Sequence, residues 1–221
     1  MRGSYQDNSR IFLSVAFGKI RQKYTDTGQR VDENTPGAVK RETQAGKDSW
    51  AIEHDYVSGK IEKIFYKEDA EYGNTLEVVI EDGPEKLQLS FHEDSRFWFD
   101  FIKKLPNIDL SKEVKITAYD FIDKEKKHRV GISIEQSGAK IVSYYERKDG
   151  DKWTLLHGFP SSDGVSFKDK DEIKIYFIKV KKFLKSQFDE LFAEKWKRVE
   201  NQQSDNIVEE AEITPDNDMP F

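Results

Sequence analysis

The sequence predicts a mostly β domain followed by one long amphipathic helix. Two observations carry this reading. Short runs of alternating apolar and polar residues recur between turn-forming residues, as half-buried strands require. Helical spacing occurs only twice, once in the middle of the chain and once near its end, without the strand–helix–strand rhythm of a parallel α/β protein.

Ile11, Leu13, Val15 and Phe17 alternate and read as one strand face. The same parity turns basic at Lys19, Arg21 and Lys23, with Gly18 at the switch, where a bulge would re-phase a single strand. Residues 25–47 hold Gly28, Pro36, Gly37 and Gly46 and read as a long mobile basic loop. Trp50–Val57 alternates as a strand, and Ser58-Gly59 reads as a turn into a strand over Lys60–Lys67. Strands are expected at Thr75–Glu81 and Lys86–His92, separated by the turn Asp82-Gly83-Pro84.

The period then changes. Phe97, Trp98, Phe101, Ile102 and Leu105 fall at helical spacing behind the N-cap candidates Asp94 and Ser95, with Pro106 at the end. This helix should bury its aromatic face. Strands resume at Glu113–Ile122 and Lys127–Glu135, with shorter candidates at Lys140–Lys148 and Lys152–His157. Asp169 and Glu172 have capping-box spacing. Behind them Ile173, Phe177, Val180, Leu184, Phe188, Leu191, Phe192 and Trp196 form an apolar stripe expected to end near Val199. The domain plan is thus residues 1–168, a helix over 169–199, and a tail over 200–221.

Charge is distributed unevenly. Of 42 acids, seven lie beyond Val199 with no Lys or Arg among them, which leaves the body close to neutral against its 36 basic residues. Such a tail buries too little apolar surface to offset its ordering entropy and should be disordered. It nevertheless ends on an aromatic beside a carboxylate. Met219, Pro220 and Phe221 suit an apolar pocket, and Asp216 and Asp218 suit a basic rim on a partner. The chain has no cysteine, so disulfides and thiolate chemistry are excluded. No run reaches the roughly 18 apolar residues of a membrane span. A soluble, cytoplasmic protein without membrane contact is the expectation.

The ending Asp216-Asn217-Asp218-Met219-Pro220-Phe221 resembles the acidic tip of bacterial single-stranded-DNA-binding proteins. Asn217 interrupts the acids, and Met219 stands where Ile is usual. Thr35-Pro36-Gly37-Ala38-Val39-Lys40-Arg41 with Trp50 resembles single-stranded-DNA-binding proteins of phages from Bacteroidetes hosts, as does Leu105-Pro106-Asn107-Ile108-Asp109-Leu110-Ser111-Lys112. The likeness extends over most of the chain ahead of the tail. It implies an OB-type Greek-key barrel, sequence-nonspecific binding of single-stranded DNA in phage replication, recombination and repair, and location in the bacterial host cytoplasm. It also implies that the tail recruits replication and recombination proteins and competes with the DNA.

Such a site needs cations for phosphates and flat rings for bases. The cationic candidates are Lys19, Arg21, Lys23, Arg30, Lys40, Arg41 and Lys47; the ring candidates are Tyr24, Trp50, Tyr56, Tyr144, Tyr145 and Trp153. Trp50 and Tyr56 share parity with Ile52 and His54, which equally suits a barrel interior. Tyr144 and Tyr145 face opposite ways, so at most one meets a base. The basic positions Lys179, Lys181, Lys182 and Lys185 allow the last helix to pack on the barrel, to cover the DNA groove or to form a homodimer contact.

Catalysis is not expected. His54, His92, His128 and His157 lack ligand-pair spacing, and no phosphate loop, nucleophile elbow or compact carboxylate motif calls for a cofactor or metal. The rival readings are an adaptor that uses its acidic tail on basic partners without touching nucleic acid, and, more remotely, a metal-dependent nuclease.

Overall fold

The computed structural model describes residues 10–43, 46–68, 70, 73–150 and 152–210, with side chains through residue 191. The chain divides between Ser161 and Ser162 into two units.

The described residues of the first unit hold twelve strands and one α-helix: β1 (Arg10–Ala16), β2 (Lys19–Gln22), β3 (Ala38–Glu42), β4 (Asp48–His54), β5 (Tyr56–Lys67), β6 (Thr75–Asp82), β7 (Glu85–His92), α1 (Arg96–Lys104), β8 (Glu113–Ile122), β9 (His128–Gln136), β10 (Ala139–Lys140), β11 (Glu146–Asp149) and β12 (Lys152–Leu155). Ten strands form one mixed sheet in the order β10-β9-β8-β5-β6-β7-β1-β2-β4-β3, and β11 with β12 makes a separate two-stranded sheet. Within the large sheet β1 runs parallel to β7. Every other pairing is antiparallel. The hydrogen-bond ladder has two ends, at β10 and β3.

Three local expectations are corrected. Gly18 is not a bulge in one strand. Phe17 and Gly18 both take positive φ, 55° and 67°, and form the two-residue turn of the β1–β2 hairpin, in which Ala16 pairs with Lys19. Mirror-image turns of this kind match the right-handed twist of the flanking strands. The turn lies so close to β8 that a Cβ on Gly18 would strike the Asp120 backbone. The sheet therefore curves until its β1–β2 end reaches β8.

Ser58-Gly59 is not a turn but lies inside the twelve-residue β5. Gly59 sits at φ 140°, and a Cβ there would overlap the Glu81 carbonyl on β6. Here glycine permits the close approach of two strands. Residues 25–47 are not loop throughout. They contain β3, which pairs with β4 from Ala38↔Ile52 to Glu42↔Asp48.

The core forms where strand parity meets α1. Val114, Ile116 and Ala118 of β8, Ile132 and Ile134 of β9, and Val57 and Ile61 of β5 are buried. Phe97, Trp98, Phe101 and Ile102 of α1 are buried as their spacing predicts, and the Phe101 ring stacks on Phe91 at 4.6 Å. Ser95 caps the helix, its hydroxyl accepting from the Trp98 N–H at 3.1 Å.

The second unit carries α2 (Lys170–Glu210), eleven residues longer than the expected end near Val199. The Asp169 carboxylate accepts from the Asp171 and Glu172 N–H groups, but Glu172 accepts from Ser166 N–H, so the capping box is only half made. Val180 and Leu184 are buried, whereas Phe177, placed on the stripe by its spacing, is 46% exposed. Residues 211–221, with the Asp216–Phe221 ending, lie outside the described residues. Among the described residues no helix is long and apolar enough to cross a membrane.

Candidate nucleic-acid interface

The cations expected on one strand face are mostly committed to carboxylates. Arg21 is 1% exposed, and its Nε lies 3.2 Å from Glu53 Oε1. Its other nitrogens donate to the Ser49 hydroxyl at 3.2 Å and carbonyl at 2.9 Å. Arg41 makes a two-pronged contact with the same Glu53 carboxylate, at 3.0 and 2.9 Å. Burial lowers the Arg21 pKa, and the Arg41 hydrogen bond holds Glu53 below the usual carboxylate range. This Arg21–Glu53–Arg41 cluster ties β2, β3 and β4 together, and Arg21 is not exposed to a phosphate. Lys19 pairs with Asp55 at 2.6 Å, and Lys40 pairs with Asp48 at 2.7 Å beside the Trp50 ring. Lys23, Arg30 and Lys47 are exposed and carry no ion pair among the described residues.

The ring candidates separate in the same way. Tyr145 is buried, its ring tilted against Phe159. Trp50 is half-buried on β4. Tyr144 stacks face to face on His157 at 3.8 Å. Tyr24 is exposed and bridges to Arg30. Tyr56 is 50% exposed with the Lys115 ammonium 4.3 Å above its ring, and Trp153 is 64% exposed.

The structure gathers a different set. On β8, Val114, Ile116 and Ala118 point into the core, so Lys115, Thr117, Tyr119 and Phe121 occupy the outer face. Register places Tyr56 of β5 beside Thr117, and Gly131 and Arg129 of β9 beside Tyr119 and Phe121. The result is a band of interleaved rings and cations, with Phe121 52% exposed and its ring 5.9 Å from that of Tyr119.

This band opens into a cleft of about 1230 Å³. Tyr119, Phe121 and Arg129 line it from the sheet, and Lys103, Lys104 and Asn107 from α1 and the turn after it. The segment after β9 adds Lys140 and Tyr144, and the β11–β12 hairpin adds Lys148 and Trp153. Four lining cations are paired: Lys103 with Glu146 at 2.6 Å, Lys104 with Asp100 at 2.8 Å, Arg129 with Asp123 at 2.8 Å, and Arg147 with Asp149 at 3.0 Å. Lys140 and Lys148 have no carboxylate partner among the described residues. They leave positive charge available for an anionic ligand.

Tyr119 is the most perturbed group here. Burial, then the charge of Asp100, pushes its hydroxyl up to about 12. It stays neutral at physiological pH and presents a ring rather than a charge.

Of the thirteen sequence candidates, only Tyr144 and Trp153 line this cleft, with Tyr56 on the adjoining face. Lys115, Tyr119, Phe121, Arg129, Lys140 and Lys148 were missed. The signal existed in Glu113–Ile122, where the parity opposite the apolar one reads Lys-Thr-Tyr-Phe.

No family model, curated protein or solved structure matches the chain.

Proposed function

We propose that this chain binds single-stranded DNA without sequence preference, coating unpaired strands during replication, recombination and repair. The observation that carries the reading is the cleft beside β8–β9, where exposed rings and unpaired cations line one concave surface. Rings offer every base a stacking face, and lysines meet the phosphates, which is the combination that nonspecific strand binding needs.

The strand order supports an OB-type arrangement within the larger sheet. β5, β6 and β7 form a meander, α1 follows, β8 returns to pair with β5, and β9 pairs with β8. OB folds bind oligonucleotides with the loop joining their last two strands. The corresponding β8–β9 turn supplies Asp123 to the cleft rim. The resemblance of the tail to bacterial, and of the Thr35–Arg41 segment to phage, single-stranded-DNA-binding proteins points the same way, and Met219-Pro220-Phe221 beside Asp216 and Asp218 suits a segment that recruits partner proteins.

Fluorescence anisotropy with labelled oligo-dT and a matched duplex tests the reading. Tight binding of oligo-dT and weak binding of duplex is the expected result. Equal affinity for both, or none for either in dilute buffer, contradicts it.

A further inference from the structure

We propose that the β11–β12 hairpin is an arm that closes over the bound strand, Trp153 stacking on a base while Lys148 meets an adjacent phosphate. This rests on the single-stranded-DNA reading and adds how the strand is held: beneath the arm rather than laid on an open face.

Four observations lead there. The hairpin is a sheet of its own, and its strands pair with no strand of the large sheet. An isolated two-stranded hairpin is marginally stable in water, so its position is set by its roots and by what it closes on.

Lys148 and Trp153 are directly opposed across the two strands, and both line the cleft. Cross-strand partners share a face, so one movement of the arm delivers ring and cation together. All four residues of β12 are exposed, and Trp153 is the most exposed large aromatic among the described residues of the first unit.

The roots, by contrast, are pinned. The Tyr144 N–H donates to the Lys103 carbonyl at 2.8 Å, and the Leu156 N–H to the Tyr145 carbonyl at 2.8 Å. The Tyr144 ring lies on His157, and Lys103 pairs with Glu146 at the first residue of β11. Just past the arm, His157 and Gly158 both hold positive φ, 52° and 72°. A fixed base beneath two strands that share no ladder with the large sheet is a pivot.

The cleft volume, about 1230 Å³, exceeds the roughly 300–1,000 Å³ usual for a small-molecule pocket. A space of this volume can take more than one nucleotide, and closure of one wall would bring the rings into contact with the strand.

The absence of native cysteine makes the test direct. Lys152→Cys on the arm and Lys124→Cys on the β8–β9 turn are labelled with a donor and acceptor dye in the full chain. Oligo-dT is added, and its binding is followed separately by its own anisotropy. Energy transfer that rises as oligo-dT binds is the expected result, together with at least an about fivefold loss of oligo-dT affinity in Trp153→Ala. Bound oligo-dT with unchanged transfer, or Trp153→Ala binding as tightly as wild type, overturns the arm while leaving strand binding intact. No binding of oligo-dT at all overturns both.

Discussion

Asp100 and Lys104, one turn apart on α1 and 2.8 Å from each other, together take both backbone groups of Ile132 on β9. The Asp100 carboxylate accepts from the Ile132 N–H at 2.6 Å, and the Lys104 ammonium donates to the Ile132 carbonyl. An ion pair thus stands where a neighbouring strand would otherwise bond. It satisfies an open edge that would invite pairing with another chain, and it fixes α1 as one wall of the cleft.

Asp100→Ala should therefore leave the Ile132 N–H without its acceptor and Lys104 without its partner. A loss of about 1–3 kcal/mol is expected in urea unfolding. Amide exchange at Ile132 should quicken while exchange at Val78, in the middle of the sheet, follows only the global stability. Unchanged protection at Ile132 would mean that the helix does not hold this edge.

Tyr119 gives a signature at high pH. Its hydroxyl is pushed up to about 12 in the fold, whereas in the unfolded chain it ionises near its ordinary value of 10. Between those values the unfolded chain has lost this proton and the folded chain has kept it, so stability falls as pH rises through the window. Tyr119→Phe removes the titrating group. Denaturant unfolding from pH 9 to 11.5 should show a shallower decline for Tyr119→Phe than for wild type, and parallel curves would deny the perturbation.

The Glu53 cluster acts at the acid end. Arg41 holds the Glu53 carboxylate below its unfolded value, so the stabilisation is present above that value and is lost as pH falls through the lower, folded one. Glu53→Gln should flatten the acid limb of the stability profile. At pH 7 it should cost about 3–5 kcal/mol, because Arg21 is left buried without a counter-charge. A loss below about 1 kcal/mol would show that Arg21 finds other partners.

Much of the strand inventory was legible because parity and turn residues are local. Glu113–Ile122 has the same bounds in sequence and structure, and Thr75–Asp82 and Glu85–His92 differ from expectation by one residue each. The errors arose where one residue type serves two geometries. Gly18 and Gly59 suit a bulge or a turn equally well until a partner strand is known; the β1–β2 pairing makes Gly18 a turn residue, and the approach of β6 sets the role of Gly59. β3 was hidden because Ala38–Glu42 is short, charged and preceded by Pro36-Gly37, as edge strands often are.

The parallel pairing of β1 with β7 joins residues more than seventy positions apart, and no local pattern encodes it. The site was harder to read than the fold. Lys19, Arg21, Lys40 and Arg41, four of the basic residues clustered in sequence, neutralise Glu53, Asp55 and Asp48. The cations left available came from distant segments, each with only one or two.

The central claim is that the β8–β9 face and its cleft grip unpaired DNA. It is tested most directly by the affinity of Phe121→Ala for oligo-dT, with salt dependence measured alongside. Loss of one stacking ring should cost about 1–3 kcal/mol, with circular dichroism and melting unchanged because Phe121 is half-exposed. If Lys115, Lys140 and Lys148 meet phosphates, the wild-type slope of log affinity against log salt should be about −2. Wild-type affinity in Phe121→Ala, with a salt slope unaltered when Lys140 and Lys148 are both changed to Ala, would contradict the account.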